Sequence, residues 1–332
     1  MAFGLGLWPD HPAPRAARLA ALAEAHGFEG IWVPDERFHR DCYLTLGAIA
    51  QATARARLGP FVTDPYSRHP ALTAVALATL DELAGGRAVL GLGAGISGFG
   101  ALGIARDDPA TAMREAVGLV RRLWAGETVS QAGRVVQFHG GRLDFAARST
   151  IPVLIAGRGP RILELAGALA DGVIIGALFS PPTLAYALDH VRAGAAGAGR
   201  GLEAFERILW CHAALHPDPR QARAAVRPIV LGILVSSRAV LGDLGVRLPP
   251  ALARAIAGAR YAGPGAAADL AAQVPDDVLA HFAMAGDGAQ CRAEVARLAG
   301  QGITHLAVVP WLVPGQTLEA FITTFAREVL AG

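Results

Sequence analysis

Residues 58–93 read LGPFVTDPYSRHPALTAVALATLDELAGGRAVLGLG: an apolar run, a polar loop, a helical pattern and a second apolar run. The runs at 58–62 and 88–93 are short and bounded by turn residues, as buried strands are, whereas 71–83 repeats its apolar residues at helical spacing. A strand, a helix and a strand in this order form a βαβ unit, whose two strands run parallel. The stretch therefore predicts a parallel sheet covered by helices.

The same alternation extends in both directions along the chain. It predicts further strands at 3–7, 30–33, 152–156, 172–175, 207–215 and 305–309, and helices at 13–26, 43–54, 109–124, 161–170, 183–199 and 317–330. Eight strands, each leading into a helical or inserted segment, are what a closed (β/α)8 barrel needs. An open doubly wound sheet is the alternative that this pattern allows.

Two stretches interrupt the alternation. Residues 126–148 are polar and are expected to form a hairpin, and residues 218–289 are rich in alanine with proline and glycine punctuation. The second stretch predicts helices inserted between the seventh and eighth barrel strands. No low-complexity linker marks a boundary, so residues 1–332 are predicted to form a single domain.

Composition favours a globular protein that acts on a small molecule. Hydrophobic residues make up 53% of the chain, and a formal net charge of +2 without basic runs disfavours nucleic acid as a partner. The three cysteines are far apart and show no metal-binding spacing with histidine, so neither a disulfide framework nor a metal site is predicted. No apolar run is long enough to span a membrane, and we expect a cytoplasmic protein.

Polar side chains stand directly after the strands, where parallel α/β folds bind their ligands. Asp35 and Glu36 follow the second strand, and His39 comes three residues later. Adjacent residues of an extended segment point to opposite sides, so at most one of the two carboxyls faces the mouth of a barrel. A buried carboxyl or a loop histidine is suited to proton transfer, whereas helix capping and pairing with arginine are the structural alternatives. Asp35, Glu36 and His39 are therefore candidate catalytic residues.

A glycine loop with the sequence AGRGPR, residues 156–161, joins the fifth strand to a helix. Backbone N–H groups of glycine can approach an anion closely, and the helix dipole favours negative charge at this point. Arg158 or Arg161 could add charge-assisted hydrogen bonds. The loop predicts a phosphate site, with a tight turn as the structural alternative.

Four segments of this sequence resemble a known superfamily. They are WVPDERFHRDCYLTLGAIA at 32–50, the block at 58–104, AGRGPRILELAGALADGVIIGA at 156–177 and GITHLAVVP at 302–310. Together they are similar to the bacterial-luciferase-like superfamily, and within it to the deazaflavin-dependent methylenetetrahydromethanopterin reductases. The resemblance implies a (β/α)8 barrel that binds coenzyme F420, or alternatively FMN, without covalent attachment, and it implies a homodimer or a larger homo-oligomer.

The resemblance also implies where the cofactor lies. The third strand would carry a non-prolyl cis peptide, here at Phe61-Val62, behind the central ring of the cofactor. Thr63 would lie near the ring edge together with Asp35 and Glu36. The phosphate end would be held by Gly157, Arg158 and Gly159, with Gly176 and Ala177 on the other side.

Three positions and one loop depart from the family pattern. The loop is ISGFG at 96–100, after the fourth strand, which lacks the charge that the family carries there. Glu36 replaces the histidine of an Asp-His motif, Asp64 replaces an asparagine, and Gly6 stands where the methanopterin reductases carry an acidic residue. These changes leave the cofactor framework intact and leave open whether the substrate is a pterin.

The main hypothesis is an F420-dependent oxidoreductase that moves hydride between C5 of the deazaflavin and a pterin, imine, ketone or alkene, with Glu36 or His39 handling the proton. The alternatives are an FMN-dependent monooxygenase of the same superfamily and a flavin-binding protein without turnover. Tyr261 and Phe282 could line the substrate pocket, although both also suit core packing.

Overall fold

Eight parallel strands form the centre of the molecule, for which a computed structural model describes residues 1–259 and 268–331. The barrel strands are β1 Ala2–Gly6, β2 Gly30–Val33, β3 Arg57–Pro60, β4 Leu90–Gly93, β7 Val153–Gly157, β8 Gly172–Gly176, β9 Glu206–Leu215 and β11 His305–Pro310. Hydrogen bonds join them in the order β3-β2-β1-β11-β9-β8-β7-β4. The eight strands predicted from the sequence are confirmed, although β3 ends before Phe61.

The barrel closes between β3 and β4. Parallel bridges pair Leu58 with Ala88 and Thr63 with Leu92, and the Thr63 amide donates to the Gly91 carbonyl at 3.0 Å. Between the two bridges the backbone of Phe61 and Val62 leaves the ladder, and the Phe61-Val62 peptide is cis. The closed barrel is therefore correct, and the open doubly wound sheet is wrong.

Helices surround the barrel, one after almost every strand. They are α1 Ala13–Ala25, α2 Cys42–Ala52, α3 Pro70–Leu83, α4 Pro109–Trp124, α5 Pro160–Leu169, α6 Pro181–Gly197, α7 Pro219–Ser237, α8 Pro250–Ala257, α9 Ala268–Ala272, α10 Asp276–Leu279, α11 Gly288–Gly300 and α12 Leu318–Phe325. A π-helical turn at Ala326–Leu330 continues α12. In the part of the chain that the structure describes, no helix is both long and apolar enough to cross a membrane.

The two interruptions of the pattern have different outcomes. The polar stretch forms the antiparallel hairpin of β5 Val129–Ala132 and β6 Gln137–Gly141, as predicted. Residues 218–289 hold helices α7 to α10, but they also hold a strand that the sequence did not predict, β10 Ala283–Gly286. This strand pairs with the second half of β9, and α11 then leads into β11. The prediction of helices alone in this stretch was wrong at β10.

Large aromatic side chains fill the inside of the barrel below its mouth. The Trp32 ring stacks on Phe61, with 4.1 Å between ring centroids, and Trp210 lies 6.2 Å from Phe61. Trp32 fits because two residues beside its ring are glycines, Gly4 on the adjacent strand β1 and Gly30 two residues earlier on β2: a Cβ on either would lie within 2.4 Å of the indole. The packed interior makes the barrel a solid core, and the space for a ligand lies above it.

Candidate functional site

A cavity of about 750 Å³ opens at the carboxyl ends of the barrel strands. The loops after β2, β3, β4, β7 and β8 line it, together with inward-facing side chains of β9 and the carboxyl end of α7. Its apolar wall consists of Phe61, Val62, Ala156, Ile162, Ile174, Trp210, Ile229 and Ile233. A cavity of this size and lining suits a ligand that has a flat apolar ring and a polar extension.

The floor of the cavity explains the glycine at position 6. A Cβ on Gly6 would lie 3.0 Å from the Trp210 ring and 2.9 Å from Val309. Any side chain at this position would therefore crowd both Val309 and the Trp210 ring. The chain has an aromatic floor at the place where the sequence resemblance implies an acidic residue.

The two adjacent carboxyls that follow β2 both line the cavity, so the expectation that at most one of them faces the mouth was wrong, and they have different partners. The Asp35 carboxylate accepts a hydrogen bond from the Thr63 hydroxyl at 2.7 Å, and its burial raises the pKa of Asp35 above the ordinary value. The Glu36 carboxylate accepts a hydrogen bond from the Ser97 hydroxyl, which comes from the loop after β4. Thr63 itself is fully buried and lies behind Asp35.

An ion pair that the sequence analysis did not predict joins the loops after β2 and β3. The Arg37 guanidinium donates to the Asp64 carboxylate at 2.7 Å, and both side chains are largely buried. Arg37 also donates to the Ser97 carbonyl at 2.5 Å and lies over the Phe99 ring at 4.3 Å, which ties in the loop after β4. A carboxylate at position 64 therefore serves as the partner of an arginine, a role that the amide of asparagine would fill less well.

The glycine loop after β7 forms the opposite side of the cavity. Gly157, Arg158 and Gly159 line it, and Arg158 donates to the Ser236 hydroxyl at 3.1 Å. Helix α5 starts directly after Gly159 and has no side-chain cap, so its first N–H groups suit an anion.

The loop after β8 lies beside this glycine loop. Gly176 gives room to Arg158, whose Cγ would be 3.3 Å from a Cβ at this position. Ala177 follows with a positive φ of 56°. On the side of α7, the buried Ser237 hydroxyl lines the cavity and has no hydrogen-bond partner among the described residues.

His212 on β9 is a cavity residue that the sequence analysis missed. It is 5% exposed, lines the cavity, and accepts a hydrogen bond at Nδ1 from the Trp311 indole N–H at 2.9 Å. Burial, with a smaller contribution from the charge of Arg158, lowers the pKa of His212 to about 3. The ring is therefore neutral at physiological pH.

Some of the residues singled out in the sequence lie elsewhere. His39 is exposed and does not line the cavity, although its ring meets the edge of Trp8, which does. Phe282 is fully buried in the core, and Tyr261 lies outside the described residues. Of the residues nominated for catalysis, the structure brings Asp35 and Glu36 to the cavity and leaves His39 outside its lining.

Comparisons with known proteins agree with this geometry. The family model for luciferase-like monooxygenases matches residues 3–305. The 5,10-methylenetetrahydromethanopterin reductase of Methanolobus tindarius is 33% identical over 332 residues, which cover 99% of this chain and 100% of that protein. The F420-dependent glucose-6-phosphate dehydrogenase of Kineococcus radiotolerans is 27% identical, with 95% of this chain and 92% of that protein covered.

Among solved structures, the coenzyme F420 dependent tetrahydromethanopterin reductase from Methanopyrus kandleri superposes with a TM-score of 0.85. The two chains are 29% identical, and the superposition covers 99% of this chain and 98% of the chain in that structure. Both the barrel and the resemblance inferred from the four sequence segments are thus confirmed. The chain belongs to the luciferase-like monooxygenase family.

Proposed function

We propose that this chain is an F420-dependent oxidoreductase that transfers hydride between C5 of the deazaflavin and a small organic substrate. The observation that carries the proposal is the full-length similarity to 5,10-methylenetetrahydromethanopterin reductases, combined with a cavity that has an apolar wall and a glycine loop at an uncapped helix start. Neither feature alone selects the cofactor. Together they suit a planar ring joined to a phosphate.

The residues present fit such a cofactor. Val62, Ala156 and Ile174 offer an apolar wall to the ring, and the unpartnered Ser237 hydroxyl offers a hydrogen bond. The phosphate end would be held by the backbone of Gly157 and Gly159, by the first N–H groups of α5 and by Arg158, with Gly176 and Ala177 on the other side.

Bound F420 supplies the hydride chemistry at C5 of its ring. Asp35 is the group best suited to hold the accompanying proton, because its burial favours the protonated carboxyl. The Thr63 hydroxyl orients that carboxyl, and Ser97 orients Glu36 beside it. The ion pair of Arg37 with Asp64 fixes the loops that carry these groups, and the aromatic floor excludes water from the barrel side.

The substrate class is a pterin, imine, ketone or alkene. The relative from Methanolobus tindarius is named for a pterin substrate. In this chain, however, Trp210 fills the space above Gly6, so the floor offers no carboxylate to a substrate. A substrate recognised mainly by apolar contact and by Asp35 or Glu36 fits this arrangement.

The test is a titration of purified protein with F420 and with FMN, followed by ring fluorescence and by calorimetry. We expect tight binding of F420 and weaker binding of FMN. Preference for FMN would indicate the monooxygenase alternative, and F420 binding without any turnover across a panel of carbonyl, imine and alkene substrates would indicate a non-catalytic flavin-binding protein. Binding of neither cofactor would overturn the proposal.

A variant tests the glycine loop separately. Arg158→Gln removes a charge from the proposed phosphate site and is expected to weaken F420 binding about ten- to hundredfold, since one charge-assisted hydrogen bond is worth about 1.5 to 3 kcal/mol. Arg142→Gln is the matched control, because Arg142 is exposed next to the β5-β6 hairpin. Equal losses in the two variants would indicate a general effect of charge rather than a phosphate site.

Three broader features complete the proposal. We infer that residues 1–332 act as one domain with an insertion over about 218–289, and that the protein is cytoplasmic, which three buried free cysteines support. We also propose a homodimer or a larger homo-oligomer. Its support is a pair of exposed leucines, Leu44 on α2 and Leu72 on α3.

A further inference from the structure

The inner face of β9 leads from the barrel core to the cavity. Side chains at every second residue of a strand face the same side, so Ile208, Trp210 and His212 form one column. Ile208 and Trp210 belong to the packed interior, and His212 stands above them among the residues that line the cavity. The imidazole thus lies two residues beyond Trp210, which pairs with Gly176 of β8, and it reaches the cavity that Gly176 also lines.

Trp311 sets the tautomer of this imidazole. Its backbone N–H donates to the Ala213 carbonyl at 2.7 Å, which fixes the residue directly after β11. Its indole N–H donates to Nδ1 of His212 at 2.9 Å. Because an indole can only donate, Nδ1 must be the unprotonated nitrogen, and the neutral ring carries its proton on Nε2.

We propose that His212 uses Nε2–H as a hydrogen-bond donor to an uncharged acceptor, a carbonyl oxygen or ring nitrogen, of the deazaflavin in this cavity. The inference rests on the proposed function and names a cofactor contact within it. His212 lies on β9, which pairs with β8, and β8 pairs with β7, whose end carries the glycine loop; His212 therefore belongs to the side of the cavity with that loop and with the positive charge of Arg158. A neutral donor holds an uncharged acceptor without adding a second positive charge beside Arg158.

Two substitutions of His212 and one of its partner test the donor. His212→Gln keeps an N–H at about the reach of Nε2, and His212→Phe keeps a ring of similar size without a donor. Trp311→Phe removes the indole N–H that fixes the tautomer. In F420 titrations we expect His212→Gln to bind within about threefold of the original protein, His212→Phe to bind about tenfold more weakly, and Trp311→Phe to lie between them.

Nuclear magnetic resonance of the imidazole nitrogens gives a readout that does not depend on turnover. The protein without cofactor should show one ring in the Nε2–H tautomer that stays neutral below about pH 5, and this signal should be absent from His212→Gln. Addition of F420 should shift that Nε2–H signal. In Trp311→Phe the same ring should become easier to protonate.

The outcomes separate this inference from the proposed function. If the original protein binds F420 but the Nε2–H signal does not move and His212→Phe binds as tightly, the donor role is wrong while the F420 proposal stands. If the original protein fails to bind F420, both are wrong. The shift measured on the original protein decides the question even if His212→Phe does not fold.

Discussion

At the scale of single residues, burial of one carboxyl has a measurable consequence for stability. The pKa of Asp35 is raised because the folded protein penalises its charge. A carboxyl with a raised folded-state pKa stabilises the fold while protonated, and this contribution is lost as the pH rises through that pKa. Asp35→Asn removes the charge, so we expect the variant to be more stable than the original protein at neutral pH. Urea unfolding between about pH 4 and pH 8 measures this. The difference in free energy of unfolding between the variant and the original protein should shrink as the pH falls toward the ordinary pKa of aspartate, about 4.

Two control variants make this prediction specific. Asp144→Asn removes a carboxylate from an exposed position and controls for the change in net charge. Thr63→Val removes the hydroxyl that favours the charged form of Asp35, so it should act in the opposite direction and lower stability at neutral pH. A difference in free energy of unfolding between Asp35→Asn and the original protein that stays the same at every pH would contradict the burial argument.

The residues of the site differ in how far the sequence could reveal them. Asp35, Glu36 and the glycine loop at 157–159 stand directly after predicted strands, so position along the chain pointed to them. His212 lies inside a strand, where periodicity alone suggests a core residue. The alternation of Ile208, Trp210 and His212 predicts that all three side chains point into the barrel. It does not predict at which of them the packed core ends and the cavity begins. Ser97 shares the positional signal, since it follows β4, whereas Ser237 at the end of α7 gave none, because only tertiary contacts bring it to the cavity.

At the scale of elements, β10 shows where local pattern fails. Its sequence AMAG has four residues within an alanine-rich stretch, and nothing in it distinguishes a strand from the helices around it. The strand exists because β9 is ten residues long and its second half offers free backbone groups for pairing. The hairpin at 126–148 was predictable, since its turn residues and polarity are local properties.

The junction of β10 and α11 depends on one helix cap. The Asp287 carboxylate accepts a hydrogen bond from the backbone N–H of Gln290 at 2.9 Å. In return, the side-chain oxygen of Gln290 accepts one from the backbone N–H of Asp287 at 3.1 Å. This reciprocal capping box satisfies N–H groups that the first turn leaves open. We expect Asp287→Ala to lower the free energy of unfolding by about 1 kcal/mol. Glu203→Ala, at an exposed loop residue, should change it by less than about 0.5 kcal/mol. Equal urea midpoints for the two variants would show that the cap contributes nothing.

At the scale of the whole molecule, the barrel was predictable because eight apolar strands alternate with helical or inserted segments. Its closure was less so. The seam between β3 and β4 has only two bridges, with Phe61 and Val62 out of the ladder between them. The sequence could place this seam only through a resemblance, since no periodicity marks a break in a strand. Val62, which lies in this seam, also lines the cavity. The segment that closes the barrel therefore forms part of the candidate site as well.

The outer surface carries an apolar face that a second copy of the chain could cover. Helices α2 and α3 pack side by side, and the residues 42–52 and 70–80 contain no charged side chain. Leu44 is 76% exposed and Leu72 is 58% exposed on this face. An exposed apolar patch can be covered by the same patch of a second copy, which a two-fold axis brings opposite it.

The double variant Leu44→Asp, Leu72→Asp tests this interface. Two carboxylates would be buried without partners in the assembly but would be solvated in a free subunit, so we expect the variant to sediment as a monomer where the original protein sediments as a dimer or larger species. Leu312→Asp is the matched control, because Leu312 is 39% exposed after β11, outside α2 and α3. Circular dichroism of the variant should match that of the original protein, since neither leucine supports the core. An original protein that sediments as a monomer would contradict the oligomer, and dissociation by Leu312→Asp alone would move the interface to the other end of the chain.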